Sequence, residues 1–440
     1  MFKSLLHYLQ ARLRAVFGDY RGFFRHLIKW TALGSLVGVL CGSASALFLH
    51  VLDLVTRLRL ERPALIVFLP LAGLGIGWVY HRYGGAAARG SNLIIDELHT
   101  NASRIPFRMF SLILIGTWVS HLFGGSAGRE GTAVQMGTSL ADNLRRLLGL
   151  NRADRRLMIM AGVSGGFGSV FGTPVAGVVF GMEFQSAGRM RYDGIVPCLV
   201  SACVGDLVTR AWGIRHSHYA PFPDFPIDAG LLIKVVLAGI AFGLAGLLFI
   251  EFTHLVKWGF GRLPVAPYIR PVIGGVLVIG LTVLVGTTDY NGLSIPFITR
   301  SLDGTGVPPE VWILKLVFTG LTLGSGFVGG EVTPLFLIGA ALGYTLGGPL
   351  GVPPTFLAAL GFTAVFAGAS NTPIACTVLA VEIFGGGGEV YVLVANVIAY
   401  LSSGNRSIYT AQRIGVAITN HHARVDETMA DLESRYHQQS

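Results

Sequence analysis

The stretch "GREGTAVQMG" at 128–137 has a counterpart in "GEVTPLFLIG" at 330–339. Each comes after a long apolar run, breaks it with glycine, sets a glutamate just after the break, and continues as a helix-compatible run. Aligning Gly128 with Gly330 also aligns Gly137 with Gly339, an offset of 202 residues. A second pair, "GTPVAGVVFGMEF" (172–184) and "NTPIACTVLAVEIF" (371–384), recurs at an offset of 199 and matches Thr173-Pro174 with Thr372-Pro373 and Glu183 with Glu382. One duplication explains both pairs. Interrupted apolar segments at matching positions of two membrane halves point to a substrate site near the midplane, at the repeat interface.

The surroundings of these blocks set the solvent. Hydrophobic residues make up 52% of the 440 and charged residues only 13%, where a soluble domain is about one quarter charged. Apolar runs at 32–57, 107–123, 228–250, 269–286 and 310–323 approach or exceed the roughly 20 residues a spanning helix needs. The chain is expected to be an all-α polytopic membrane protein. Sixty residues are glycine, double the usual ~7%, which suits close helix packing and backbone breaks that line a cavity.

The net charge of +9 is no nucleic-acid signature. Lys3, Arg12, Arg14, Arg21, Arg25 and Lys29 precede the first apolar run against a single acid, Asp19. That bias places the N-terminus in the cytoplasm, with 1–30 as an amphipathic segment at the inner surface. Ala44-Ser45-Ala46 mimics a cleavage site, but the apolar run continues past it, so a retained first span is expected. The first repeat is assigned to 31–212 and the second to 228–415, with 416–440 as a cytoplasmic tail. Polar segments at 83–106, 143–156, 213–227 and 287–309 read as loops. The four cysteines sit in apolar surroundings without metal-like spacing and read as small buried hydrophobes, with no disulfide framework.

Each glycine break frees backbone N–H groups at the start of the next half-helix, and these favour an anion. Glu130 at such an N-terminus would compete with the anion when ionised and vacate the site when protonated. Low dielectric favours the neutral acid, so Glu130 suits a gate and proton carrier; pairing with Arg129 is the plainer alternative. Glu331 is either a second proton-handling acid or a carboxylate held by backbone. Glu183 and Glu382, each ending an apolar helix, read as anchors or caps near an interface.

"GREG" (128–131), "GGEVTP" (329–334), the "GTP" and "NTP" helix starts and "IYTAQ" (408–412) together resemble the CLC family of anion channels and proton-coupled antiporters. The resemblance spans roughly 30–415. It implies a homodimer with a pore in each subunit and a fold of two inverted repeats with re-entrant, broken helices. Chloride-type members read G-S-G-I-P, G-[KR]-E-G-P and G-x-F-x-P, whereas this chain has "GSNLII" (90–95), Thr132 and Val332. Glu331-Val332-Thr333 resembles the fluoride/proton-antiporter branch. By resemblance the anion is lined by Ser91 or Asn92, by Arg129, Gly131, Val332 and Thr333, and by Tyr409, which otherwise reads as an interfacial aromatic. Phe184 stands where many chloride antiporters carry an internal glutamate.

The expected function is export of fluoride in exchange for protons across a bacterial inner membrane, with both termini cytoplasmic. A chloride/proton antiporter or passive chloride channel of the same fold is the near alternative. No cofactor or metal is expected. An embedded metalloenzyme would need ligands from His216, His218, His421 and His422, which have no carboxylate at motif spacing. "GVSGGFGS" (162–169) lacks the lysine of a phosphate loop and reads as helix packing.

Overall fold

The computed structural model describes residues 2–216, 219–222, 225–416 and 424–439. Eight helices form the first half: α1 (Phe2–Glu61), α2 (Leu69–Val79), α3 (Ser91–Thr100), α4 (Arg108–Leu122), α5 (Glu130–Leu147), α6 (Arg152–Phe171), α7 (Pro174–Glu183) and α8 (Ile195–Ala211). Eight more come after them in matching order: α9 (Ala229–Arg262), α10 (Arg270–Val285), α11 (Ile295–Asp303), α12 (Val311–Gly324), α13 (Val332–Leu350), α14 (Pro354–Ser370), α15 (Pro373–Phe384) and α16 (Glu389–Ser403). The helix α17 (Met429–Gln439) closes the chain.

Among the described residues, six helices are long and apolar enough to cross a membrane. Their outward faces carry large apolar side chains, such as Leu36, Leu47 and Leu54 on α1 and Leu237, Leu244 and Leu248 on α9. In water such a surface would be a liability; in hydrocarbon it is the expected exterior. The basic segment and the first span are one unbroken helix, so no break in the backbone divides 1–30 from the membrane span.

Two segments read as loops contain helices. The first, 91–100, looked polar because it holds Asp96, Glu97 and His99, yet Glu97 is buried against the Arg155 guanidinium at 2.8 Å. Its polarity is satisfied internally, and left-handed Asn101 ends the helix. The second, within 287–309, is α11.

Packing explains the aligned glycines. A Cβ on Gly137 would lie 2.4 Å from the Gly162 carbonyl oxygen, and one on Gly339 would lie 1.8 Å from that of Gly361. Thus α5 crosses α6, and α13 crosses α14, at equivalent backbone contacts. Near the C-terminal end, β1 (Ser186–Ala187) and β2 (Arg413–Ile414) pair in parallel, and Met429 and Leu432 pack with Ala187 and Ile414.

Candidate functional site

The two glycine-rich blocks meet. Gly128 donates its N–H to the Gly330 carbonyl at 2.6 Å, and Gly330 returns the bond to Gly128 at 2.9 Å. The residues aligned by the repeat are therefore paired with each other, in an antiparallel bridge. From this bridge α5 and α13 start, each with a fully buried first turn.

Glu130 is 1% exposed and opens α5. Its carboxylate crosses the repeat interface to the start of α13. The Thr333 amide donates to Oε2 at 3.1 Å, and the Thr333 hydroxyl lies 2.7 and 2.6 Å from the two oxygens. The Arg129 amide donates to Oε2 at 3.1 Å and its Nε to Oε1 at 3.3 Å. The Arg129 pair and the gate geometry thus coexist. Neighbours within a helix do not face each other, but Arg129 precedes the helix, at φ −120° and ψ −22°. A carboxylate here accepts main-chain and hydroxyl donors as a small anion would.

Gly330 keeps that donor cluster open. A Cβ at this position would sit 2.8, 3.2 and 3.3 Å from the amide nitrogens of Gly131, Glu130 and Arg129. Any side chain would plug the N-terminus of α5. Gly131 is equally tight, its own virtual Cβ lying 3.2 Å from a Glu331 carboxylate oxygen.

A cavity of about 480 Å³ opens beside the bridge. Glu331, Ser91, Asn92 and Tyr409 line it, with Arg89, His254, Lys257 and Arg270 around its walls. Its ionisable lining is predominantly basic, which favours anions. Val332 and Thr333 lie buried behind Glu331. Asn92 Oδ1 accepts from the Ala411 amide at 2.9 Å, tying α3 to the loop that carries Tyr409. Ser91 Oγ is 3.5 Å from Gln135 Nε2 on α5. Both Ser91 and Asn92 face the cavity. The Tyr409 ring meets Phe184 edge-on at 5.2 Å, and Phe184 continues through Phe180 and Phe366 to Phe336 of α13. An apolar aromatic wall therefore stands where the internal glutamate of chloride antiporters would be expected.

The outer glutamates act across the repeats. Glu183 accepts from the amides of Ile374 and Ala375 at 3.2 and 2.7 Å, and Glu382 accepts from Val175 and Ala176 at 2.9 and 2.6 Å. Each caps the other half's helix, which sets α7 and α15 side by side and antiparallel. The repeat made them equivalent; that they exchange partners is visible only in three dimensions. No group of three potential metal ligands occurs among the described residues. His216 lies 3.7 Å from Asp206, while His218, His421 and His422 lie outside the described residues.

Residues 72–404 match the voltage gated chloride channel family. The chain belongs to that family. Over 94% of its length it is 47% identical to a "Chloride/fluoride channel protein" of Pseudomonas syringae pv. tomato, 93% of which is covered. An H(+)/Cl(-) exchange transporter, ClcA of Vibrio cholerae, is 27% identical over 80% of this chain and 81% of its own. Among solved structures, a CLC-type fluoride/proton antiporter superposes with a TM-score of 0.85 at 32% identity, over 88% of this chain and 98% of that one. A slow cyanobacterial Cl-/H+ antiporter superposes at 0.74 with 19% identity, over 87% and 96%, and shares the fold. The two-repeat helical membrane architecture read from the sequence is the family's.

Proposed function

We propose that this protein is a proton-coupled fluoride antiporter that exports fluoride in exchange for protons, with Glu130 as gate and proton carrier. The observation that carries the reading is the grip of Thr333 on the Glu130 carboxylate. An acid held by the donors an anion needs must leave before the anion enters, and protonation is what weakens its hold. The hydroxyl and amide donors also suit fluoride, which is small, strongly hydrated and a strong hydrogen-bond acceptor. The named specificities of the Pseudomonas relative and of the fluoride/proton antiporter support the same substrate. Arg129, Gly131, Val332, Thr333, Tyr409 and either Ser91 or Asn92 form the anion path in this reading, with Glu331 as a second acid at the cavity end.

The working unit is proposed to be a homodimer in the bacterial inner membrane, with both termini cytoplasmic and the large cavity opening inward. The chloride/proton exchange of ClcA supports the alternative substrate. Reconstituted protein decides between them, with fluoride, chloride and proton fluxes recorded in parallel. Fluoride efflux with proton influx is expected, and Glu130→Gln should abolish the proton flux. Chloride flux exceeding fluoride flux, or unchanged proton coupling in Glu130→Gln, would overturn the reading.

A further inference from the structure

The helices α2 and α10 run from the large cavity to a second, much smaller pocket. Their near ends supply Gly77, Arg270 and Pro271 to the cavity; beyond their far ends lie Ile66 and Thr288 of the pocket. The 16 residues of α10 separate the two by about 24 Å. Arg59, Pro63, Ile66, Gly124, Thr288 and Asn291 line the small pocket, whose volume is about 10 Å³. Gly124 begins the glycine-rich stretch that leads to Glu130.

Arg59 is the anomaly. It is 8% exposed, its Nε is buried without a hydrogen-bond partner, and the side chain makes no hydrogen bond or ion pair with any described residue. Asp289 acts on it through space but is exposed. The chain has nonetheless made room for this guanidinium: Gly292, at φ +62°, would place a Cβ 3.0 Å from its terminal nitrogen. From α12, fully buried Lys315 reaches the same loop and donates to the carbonyls of Tyr290 and Gly292 at 3.1 and 2.7 Å and to Ser294 Oγ at 2.9 Å. Asn291 in turn donates to the Gly124 carbonyl at 2.8 Å, joining this loop to the gate stretch. With its nearby counter-charge, Asp289, out in solvent, the buried guanidinium is poorly compensated, and an anion beside it relieves the cost.

We infer that this pocket is a second anion subsite, holding one fluoride against Arg59 on the face opposite the large cavity. The identity of the anion rests on the fluoride reading of the gate. The subsite itself rests on the unpartnered guanidinium and the pocket's size. The pocket admits a particle of about the size of water, and fluoride is close to water in size. Fluoride released past Glu130 would pause here, with the Arg59 charge drawing it outward.

Fluorine-19 spectra of the purified full-length protein titrated with sodium fluoride test this, alongside fluoride efflux from proteoliposomes. The unaltered protein is expected to show a bound resonance that Arg59→Gln removes or weakens by about tenfold or more, the loss of a charged hydrogen bond, and that Arg59→Lys partly restores. Thr288→Leu, which fills the pocket and leaves Arg59 intact, should remove the same resonance. Bound fluoride that is indifferent to both Arg59→Gln and Thr288→Leu overturns the subsite. If the resonance behaves as expected but the unaltered protein moves no fluoride, the transport reading fails and the subsite stands.

Discussion

Thr333 offers one hydroxyl to whichever acceptor occupies the space between α5 and α13, and in this structure that acceptor is the Glu130 carboxylate. Replacing it by alanine removes a hydrogen bond to a charged group, a loss of about 1.5–3 kcal/mol. The Thr333 amide and both Arg129 donors would remain, so the gate would loosen without losing its seat. Thr333→Ala should therefore weaken fluoride transport by about tenfold or more and let chloride compete, while Thr333→Ser should restore fluoride preference. Parallel fluoride and chloride fluxes read this directly; equal preference in the alanine and serine variants would separate selectivity from the hydroxyl. Gly330→Ala makes a second residue-level case, because its methyl would enter the donor cluster 2.8 Å from the Gly131 nitrogen. Transport should be lost even where the protein still elutes as the unaltered assembly does. Glu130 was legible in the sequence because it follows a duplicated glycine break, and Thr333 because Glu331-Val332-Thr333 resembles the fluoride/proton-antiporter branch. Arg59 and Lys315 were not: Arg59 sits in a charged cluster with Arg57, Glu61 and Arg62 that reads as a solvated helix end, and Lys315 is a lone cation within an apolar run.

At the scale of elements, the pair α7 and α15 shows how the halves are locked. Each helix ends in a glutamate that satisfies two amides at the start of the other, so either substitution unties one end of the pair. Glu183→Ala or Glu382→Ala should cost about 1–2 kcal/mol each, as for loss of a helix cap, seen as lower thermal midpoints of the purified protein. Glutamine variants should fall between, since an amide retains one acceptor oxygen. A midpoint unchanged in both alanine variants would rule out the capping role. The Arg155 side chain fixes a different group of helices, bonding Asp142 of α5 at 2.6 Å and Glu97 of α3 at 2.8 Å. Arg155→Leu leaves buried Glu97 without its ion pair and Asp142 with only the longer one to Arg145 at 3.9 Å, a cost of about 3–5 kcal/mol, and thermal unfolding should register it more strongly than either cap. The sequence hid this network because Glu97 and Arg155 lie in stretches that looked like solvated loop, 58 residues apart, and Asp142 has no partner at helical spacing that points to either. The long apolar helices were readable from composition alone; α3 was not, because a distant partner, Arg155, offsets the cost of burying Glu97, and α11 was not, because it is only nine residues long and keeps Thr299, Arg300 and Asp303 exposed.

For the whole molecule, the two glycine-rich blocks are joined by a reciprocal pair of hydrogen bonds, with a wide, predominantly basic cavity on one side and a water-sized pocket at the far end of the same helices. That asymmetry suits a device that gathers an anion from one side and delivers it to the other. The proposed exchange carries a testable electrical consequence. Fluoride leaving and a proton entering both make the interior more positive, so one-for-one exchange moves two elementary charges per cycle. At about 2.3 kcal/mol per charge per 100 mV, an interior at −100 mV would supply roughly 4.6 kcal/mol to each cycle. Since 1.4 kcal/mol corresponds to a factor of ten, that drive sustains a fluoride gradient of roughly three decades with no pH difference. Proteoliposomes clamped with potassium and valinomycin should therefore expel fluoride against its gradient and acidify as they do so. A passive channel under the same clamp would move a single charge, reach only about half as many decades, and leave the internal pH unchanged. Glu130→Gln, which cannot carry the proton, should convert the first behaviour toward the second or stop transport altogether. Acidification that persists in that variant would place the proton route elsewhere than at residue 130.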